Sequence, residues 1–284
     1  MNQSSIIPLI KPLYRLYFNI VDQPNRIASN GLLIADKPLW RDVSSHQGEW
    51  DADVSAQNGV QGVFIRASYG LIKDTRFPIN YAKASNTSMF RSSYHALYPN
   101  LSWEKQLEIW YSQHPTIEGV PRVLDVEIQG GVSNEKIGWD CWDLSRVILS
   151  RDGIRPIFYS RTNLINLWFA LWDTNDLDNH FWWLAQYLSS GAEHPGPYNL
   201  PNRVSSDRVL IIQTSSHKPD FPGEAESLSI DWNRWELGNK LQMLTWIQDN
   251  WHIGSPQDYG SWYTDIDLWA RTQGFSSPHI PPGG

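Results

Sequence analysis

From Pro38 onward, short apolar segments of strand character alternate with longer segments of helical spacing, a rhythm that few architectures accommodate. Parallel strands need a crossover of a dozen or more residues, and an intervening helix supplies it. Strands are expected at Leu39 to Val43, Val60 to Ala67, Phe90 to Leu97, Val123 to Glu127 and Pro156 to Ser160, each followed by a helix. The helix after the fourth strand is the most sharply defined. Ile137, Cys141, Leu144 and Ile148 recur at helical spacing, with Ser133 or Asn134 available as the cap. Three further strands, Trp182 to Tyr187, Val209 to Ser215 and Ser227 to Asn233, follow without obvious helices between them. Eight strands with about five helices predict an α/β fold, an incomplete (β/α) barrel.

The 284 residues leave room for extensions at both ends of such a barrel. Residues 1–37 carry an aromatic-rich run, Leu13 to Val21, and an Asn30-Gly31 hairpin signal, which together predict a β-rich arm or strap. The barrel itself is expected over 38–236. In 237–284, Leu241, Leu244, Ile247 and Trp251, then Trp262, Ile266 and Trp269, predict two short amphipathic helices packed on the barrel or a partner. The Pro- and Gly-rich stretch from Ser276 to Gly284 reads as a flexible end.

Several classes of function are excluded. A net charge of −7 and the lack of any Lys/Arg run argue against a nucleic-acid partner. The lone Cys141 excludes an internal disulfide and a Cys-rich zinc site, and its helical setting marks it as a core residue. No segment approaches the roughly 20 apolar residues of a membrane span. Met1 to Ile10 lacks a basic start and a continuous apolar core, so no secretory signal is expected. Sixteen Trp residues are unusually many. Aromatic faces suit sugar C–H surfaces, although most of these Trp residues are assigned to the core.

The chemistry-bearing residues are four acids at the ends of strand-like runs: Asp42 in Asp42-Val43-Ser44-Ser45-His46-Gln47-Gly48, Asp125 and Glu127 in Leu124-Asp125-Val126-Glu127, and Asp231 in Ser229-Ile230-Asp231-Trp232-Asn233. Side chains alternate along a strand, so Asp125 and Glu127 project to one side, and crowding favours a retained proton. Singly, Asp125 could cap a helix and Asp231 could pair with an Arg. Together, four like charges at three strand ends point to catalysis rather than structure. His95 lacks a second ligand at metal spacing, so it and His46 are read as satisfied polar residues.

In order and spacing these strings resemble the glycoside hydrolase family 25 muramidases, the Chalaropsis-type lysozymes, from about Trp40 to Trp235. The match comprises the Asp-Val-Ser-x-x-Gln-Gly start at Asp42, Tyr94-His95, Asp125-x-Glu127, Tyr159-Ser160, Trp183-x-Ala185-x-Tyr187, Gln213-Thr214-Ser215 and Asp231-x-Asn233. The resemblance implies hydrolysis of the β-1,4 bond between N-acetylmuramic acid and N-acetylglucosamine in peptidoglycan. Glu127 would be the general acid. Asp125 would either shield an oxocarbenium-like state or orient the substrate's 2-acetamido group. Asp42 and Asp231 would complete an acidic floor. Tyr69, Tyr94, Tyr159, Trp183 and Tyr187, with Gln213 and Asn233, would contact the glycan. No cofactor or metal is implied.

The chain departs from the family's pattern at Tyr94-His95-Ala96-Leu97, where Tyr-His-Phe is common, and at Ile212-Gln213-Thr214, where Trp-Gln-Tyr is. Arg66-Ala67-Ser68-Tyr69 replaces a more usual Lys-Ala-Thr start. Two aromatic cleft walls are thereby expected to be missing. The site of action implied is the bacterial cell wall, reached through phage lysis or carriage on a phage particle. The terminal segments would dock on that particle or on a second copy of the chain. Two alternatives remain: a non-catalytic wall-binding or virion protein that keeps the barrel, and a chitinase-like barrel. The latter normally has a longer acidic ladder than Val120-Pro121-Arg122-Val123-Leu124 provides.

Overall fold

The computed structural model describes residues 37–115, 120–188, 193–216, 231–238 and 240–251. The arm expected up to residue 36, the second C-terminal helix and the end from Ser276 lie outside the described residues.

Nine strands form one sheet: β1 (Leu39–Val43), β2 (Val60–Tyr69), β3 (Ile72–Lys73), β4 (Phe90–Ala96), β5 (Val123–Asp125), β6 (Ile157–Ser160), β7 (Phe181–Ala185), β8 (Val209–Ser215) and β9 (Trp232–Trp235). Their order is β1-β9-β8-β7-β6-β5-β4-β2-β3, and a further β1–β2 pairing closes eight of them into a barrel. The short β3 hangs on β2 as an antiparallel hairpin that the sequence reading did not anticipate. Seven α-helices are described: α1 (Ala52–Gln57), α2 (Phe77–Ser85), α3 (Trp103–Gln113), α4 (Asn134–Asp152), α5 (Thr162–Trp168), α6 (Thr174–Asp178) and α7 (Lys240–Asn250). Both α5 and α6 follow β6, which accounts for part of the excess over the expected five.

The sheet is mixed, not purely parallel. Every pairing around the ring from β1 through β2, β4, β5, β6 and β7 to β8 is parallel. By contrast, β9 runs antiparallel to both β8 and β1. An antiparallel strand needs no crossover helix, and the sequence offers no obvious one before it. One consequence is positional: Asp231 precedes β9 instead of ending it, and the reversed strand brings its start to the rim where the parallel strands finish.

Alternation along the strands sorts the core into two layers. Outward residues such as Val63, Ile65, Leu124, Phe158 and Leu184 pack with the helices. Inward ones, including Trp40, Phe64, Val123, Ile157 and Trp183, fill the barrel. The long α4 follows its expected pattern. Ser133 caps it through a bond from the Lys136 amide, Ile137, Cys141, Leu144 and Ile148 are all buried, and Gly153 ends it in a left-handed turn at φ 71°. Burial raises the Cys141 thiol well above its ordinary value, as befits an inert core residue. Among the described residues nine Trp side chains are buried, so the core accounts for most of the sixteen.

The floor of the barrel is sealed by α7. Met243, Leu244, Ile247 and Trp251 join the inner layer. The Trp40 indole N–H reaches Met243 Sδ at 3.2 Å, Trp251 lies 4.8 Å from Phe90, and Trp246 lies 5.4 Å from Trp235. Trp40 and Phe90 start their strands, whereas Trp235 ends the reversed one, so all three mark the end opposite the acids. No helix among the described residues is long and apolar enough to cross a membrane.

Close packing at this floor leaves no room beside Trp40. Gly62 is its register partner on β2, and a Cβ there would stand 2.5 Å from the Trp40 ring. Gly62→Ala is therefore expected to destabilise the fold by about 1–3 kcal/mol through overpacking. Denaturant unfolding measures this, and an unchanged midpoint would contradict the packing described.

Candidate active site

The rim is built from local turn chemistry. Asp42 is the penultimate residue of β1, and the strand is ended at once by a capped 3-10 turn over Ser45–Gln47. There the Ser44 hydroxyl accepts the His46 amide at 3.1 Å, and Gln47 Oε1 accepts the Ser44 amide at 2.7 Å. Gly48 follows at φ 65°, where a side chain would be strained. Much of the Ser-x-x-Gln-Gly string thus serves to stop β1 directly after Asp42. On β5, pairing runs one residue past the strand, with the Val126 amide on the Tyr159 carbonyl at 2.9 Å. This keeps the backbone extended up to Glu127.

The period-two expectation for Asp125 and Glu127 agrees with the packing: Leu124 and Val126 between and before them belong to the outer layer. Asp42, Asp125 and Asp231 are all half-buried, and the Glu127 side chain is the outermost of the pair at 29% exposure. Each group therefore remains within reach of solvent. The Asp42 and Asp231 carboxyls hydrogen-bond one another, with Asn233 Nδ2 donating to Asp42 Oδ2 at 2.8 Å and Gln213 bonded to Asp231.

Electrostatics follow from this crowding. Burial, then the Asp42 charge, pushes Asp231 up to about 9, so Asp231 holds a proton towards Asp42 at neutral pH. Burial and the neighbouring Glu127 charge raise Asp125 well above the usual carboxylate range. Glu127 is also raised by burial, but Arg161 opposes the shift. Asp42 is raised by burial against hydrogen bonds from Asn233 and Asp231 and the nearby Arg41 and Arg66 charges.

Beneath the acids lies a supporting layer. Trp183 is 3% exposed and donates its indole N–H to Asn233 Oδ1 at 2.8 Å, fixing which end of the amide faces Asp42. The Tyr159 hydroxyl bonds Gln213 Oε1, and its ring packs 4.6 Å from that of Trp183. Tyr94, half-buried, stands among Asp42, Asp125, Asp231 and Arg66, and burial drives its phenol far above its ordinary value. Tyr187 and Tyr69 stand further out on the rim, next to Arg161 and Arg66 respectively.

Eleven positions singled out in the sequence thus divide into four acids, a buried support of Tyr159, Trp183, Gln213 and Asn233, and three half-buried tyrosines. His95 lies apart from them. Its ring bonds Ser68 and Gln106 and stacks on Trp110, and burial lowers its pKa to about 4, which keeps it neutral. His46 is an exposed side chain in the turn after β1.

Two arginines join the site: Arg161, which the sequence reading did not single out, and Arg66, which it noted only as a departure from the family's pattern. Arg161 Nε lies 3.2 Å from Glu127 Oε1, and its Nη2 donates to the Tyr187 hydroxyl at 3.0 Å. Arg66 is anchored by Asp74 at 2.8 Å and by Ser45 Oγ at 2.9 Å, with its guanidinium 4.7 Å from the Tyr69 ring. A signal for the first existed: Asp125 pairs with Tyr159 in parallel register, so Glu127 and Arg161, each two residues on, face the same way.

A barrel with acids gathered at one rim is a familiar glycosidase arrangement, and the chain belongs to glycosyl hydrolases family 25, whose family model matches residues 41–207. An uncharacterized protein, YegX of Escherichia coli (strain CFT073), is 26% identical over 147 residues, covering 49% of this chain and 51% of that one. The chain thus matches about half the length of this curated relative. Among solved structures, the bacterial lysozyme from Streptomyces coelicolor superposes with a TM-score of 0.64 at 22% identity, over 75% of this chain and 98% of that one. A family 25 glycosyl hydrolase from Bacillus anthracis gives 0.62 at 20%, over 73% and 92%. At these identities the two structures establish a shared fold.

Raised carboxyl groups carry a pH signature. A carboxyl with a folded pKa of about 9 and an ordinary value of 3.8 binds its proton more tightly in the native state. Its stabilisation is complete below the ordinary value and is lost as pH rises through the folded one. Asp231→Asn cannot ionise and keeps a donor for Asp42, so its melting temperature should fall less steeply than the wild type's between pH 4 and 9. Parallel melting curves across that range would refute the assignment of the proton to Asp231.

Proposed function

We propose that the chain is a peptidoglycan hydrolase of muramidase type, cleaving the β-1,4 bond between N-acetylmuramic acid and N-acetylglucosamine. The observation that carries this reading is the pairing of a recessed, proton-retaining Asp125 at the end of β5 with a more exposed Glu127 two residues on. Family membership and the fold shared with the Streptomyces lysozyme support it. Glu127, nearest to solvent, protonates the glycosidic oxygen as the bond breaks. Asp125, set behind it, orients the 2-acetamido group towards the anomeric carbon or, once it has given up its proton, stabilises the positive charge that develops there.

Asp42 and Asp231 act as one unit with a shared proton, whose remaining negative charge raises the neighbouring acids. Trp183, Asn233, Tyr159 and Gln213 work as positioning residues: buried and bonded to one another, they fix the carboxyl groups from below. Tyr94, Tyr69 and Tyr187 are left as the half-buried aromatic groups that meet sugar rings and hydroxyls. The cell wall is the site of action in this reading. Residues 38–236 form the catalytic barrel, and 1–37 and 237–284 are appended segments, of which α7 closes the barrel floor.

Loss of the general acid should cost about 10²- to 10⁴-fold in rate. Turbidity loss of purified peptidoglycan is expected with the wild type and is expected to fall by that factor in Glu127→Gln, with an unchanged melting temperature. Equal clearing by both proteins would remove Glu127 from the mechanism. Failure of the wild type to release any muramic-acid reducing ends would overturn the muramidase reading as a whole.

A further inference from the structure

Arg161 poses a chemical problem for the reading above. A guanidinium 3.2 Å from a carboxylate favours its charged form, whereas a general acid must hold a proton. The Arg161 backbone is firmly set. It precedes α5, where the Ile165 amide bonds the Arg161 carbonyl at 2.9 Å. The next residue, Thr162, donates to the Asn199 carbonyl at 2.5 Å, and Gln186 clamps the Asn199 backbone from both sides at 2.7 Å. The side chain, in contrast, is 52% exposed at the rim, and the contacts to Glu127 and Tyr187 use two of its five donors.

We propose that Arg161 is a carboxylate-responsive positioning residue: its guanidinium rests on Glu127 until a carboxylate carried by the glycan draws it away. The proposal rests on the muramidase reading and adds to it a preference for anionic over neutral glycans. A planar fork with spare donors, held at the mouth of the site by Tyr187, suits bidentate capture of a carboxylate. Once the guanidinium has moved, Glu127 faces Asp125 at the end of β5, Asp42 on β1, Tyr159 on β6 and Asp231 before β9. Three of these are acids, and none is a cation. A proton on Glu127 is then favoured, ready for transfer to the glycosidic oxygen. The carboxylate has two sources in peptidoglycan, the lactyl group itself or the peptide attached to it.

Three substrates separate these sources: peptide-free glycan strands with free lactyl carboxylates, the same strands with those groups converted to methylamides, and strands carrying peptides. The wild type should cleave one or both carboxylate forms with kcat/KM roughly tenfold above the methylamide form. Arg161→Ala should bring all three to one level, and Arg161→Lys should retain part of the preference. On the methylamide strands, Arg161→Ala should also move the basic limb of the kcat/KM pH profile upward, because a positive charge beside Glu127 is gone. Indifference of the wild type to the carboxylate would overturn the proposal. So would an equal loss on all three substrates with no shift of the limb. No cleavage of any strand by the wild type would instead sink the muramidase reading, and the inference with it.

Discussion

Placing four carboxyl groups at one end of a closed sheet raises the free energy of each charge added there, and much of the surrounding structure answers that repulsion. Protons are one answer. Asp231 holds one towards Asp42, and Asp125, set deeper than Glu127, is held far above its ordinary range. Directed donors are the other. Asn233 is fixed by Trp183 so that its amide N–H₂ meets Asp42, and Arg161 meets Glu127. Each device depends on barrel closure, because the contributing residues come from β1, β5, β7, β9 and the end of β6.

Rigidity of the rim has its origin at the far end. Trp40 and Trp235 pack against α7 and Phe90 against Trp251 just beyond it, and Gly62 admits the Trp40 ring. The stacked inner residues above them leave no slack between floor and acids: Trp40 contacts Phe64, Phe64 contacts Trp183, and Trp183 bonds Asn233. An aromatic column thus runs from the helix that seals the barrel to the group that holds Asp42. This gives a physical reason for so many buried tryptophans in a chain whose chemistry is acidic.

Much of this was legible in the residues themselves. Period two along Val123 to Glu127 put both acids on one side, apolar spacing located α4, and the bounds of β1 and β8 fell where expected. Strand direction was less accessible. Nothing within Trp232–Trp235 distinguishes a parallel from an antiparallel strand, since both alternate alike, and so Asp231 was assigned to a strand end when it precedes a reversed strand. Arg161 was missed because its role depends on which strands are neighbours. Burial was likewise hidden: Trp183 and Asn233 look the same in sequence whether they face a sugar or support a carboxylate, and only the closed barrel shows that they lie beneath.

The account stands most directly on where the protons sit. Carboxyl carbons labelled in Asp and Glu and followed by ¹³C NMR from pH 3 to 10 report each group separately. Asp231 should keep its proton through neutrality and titrate near 9, with Asp125 also remaining protonated far above the usual range. Four independent titrations near pH 4 would mean that the acids do not share a crowded, low-dielectric rim, and the proposed division of labour among them would fail.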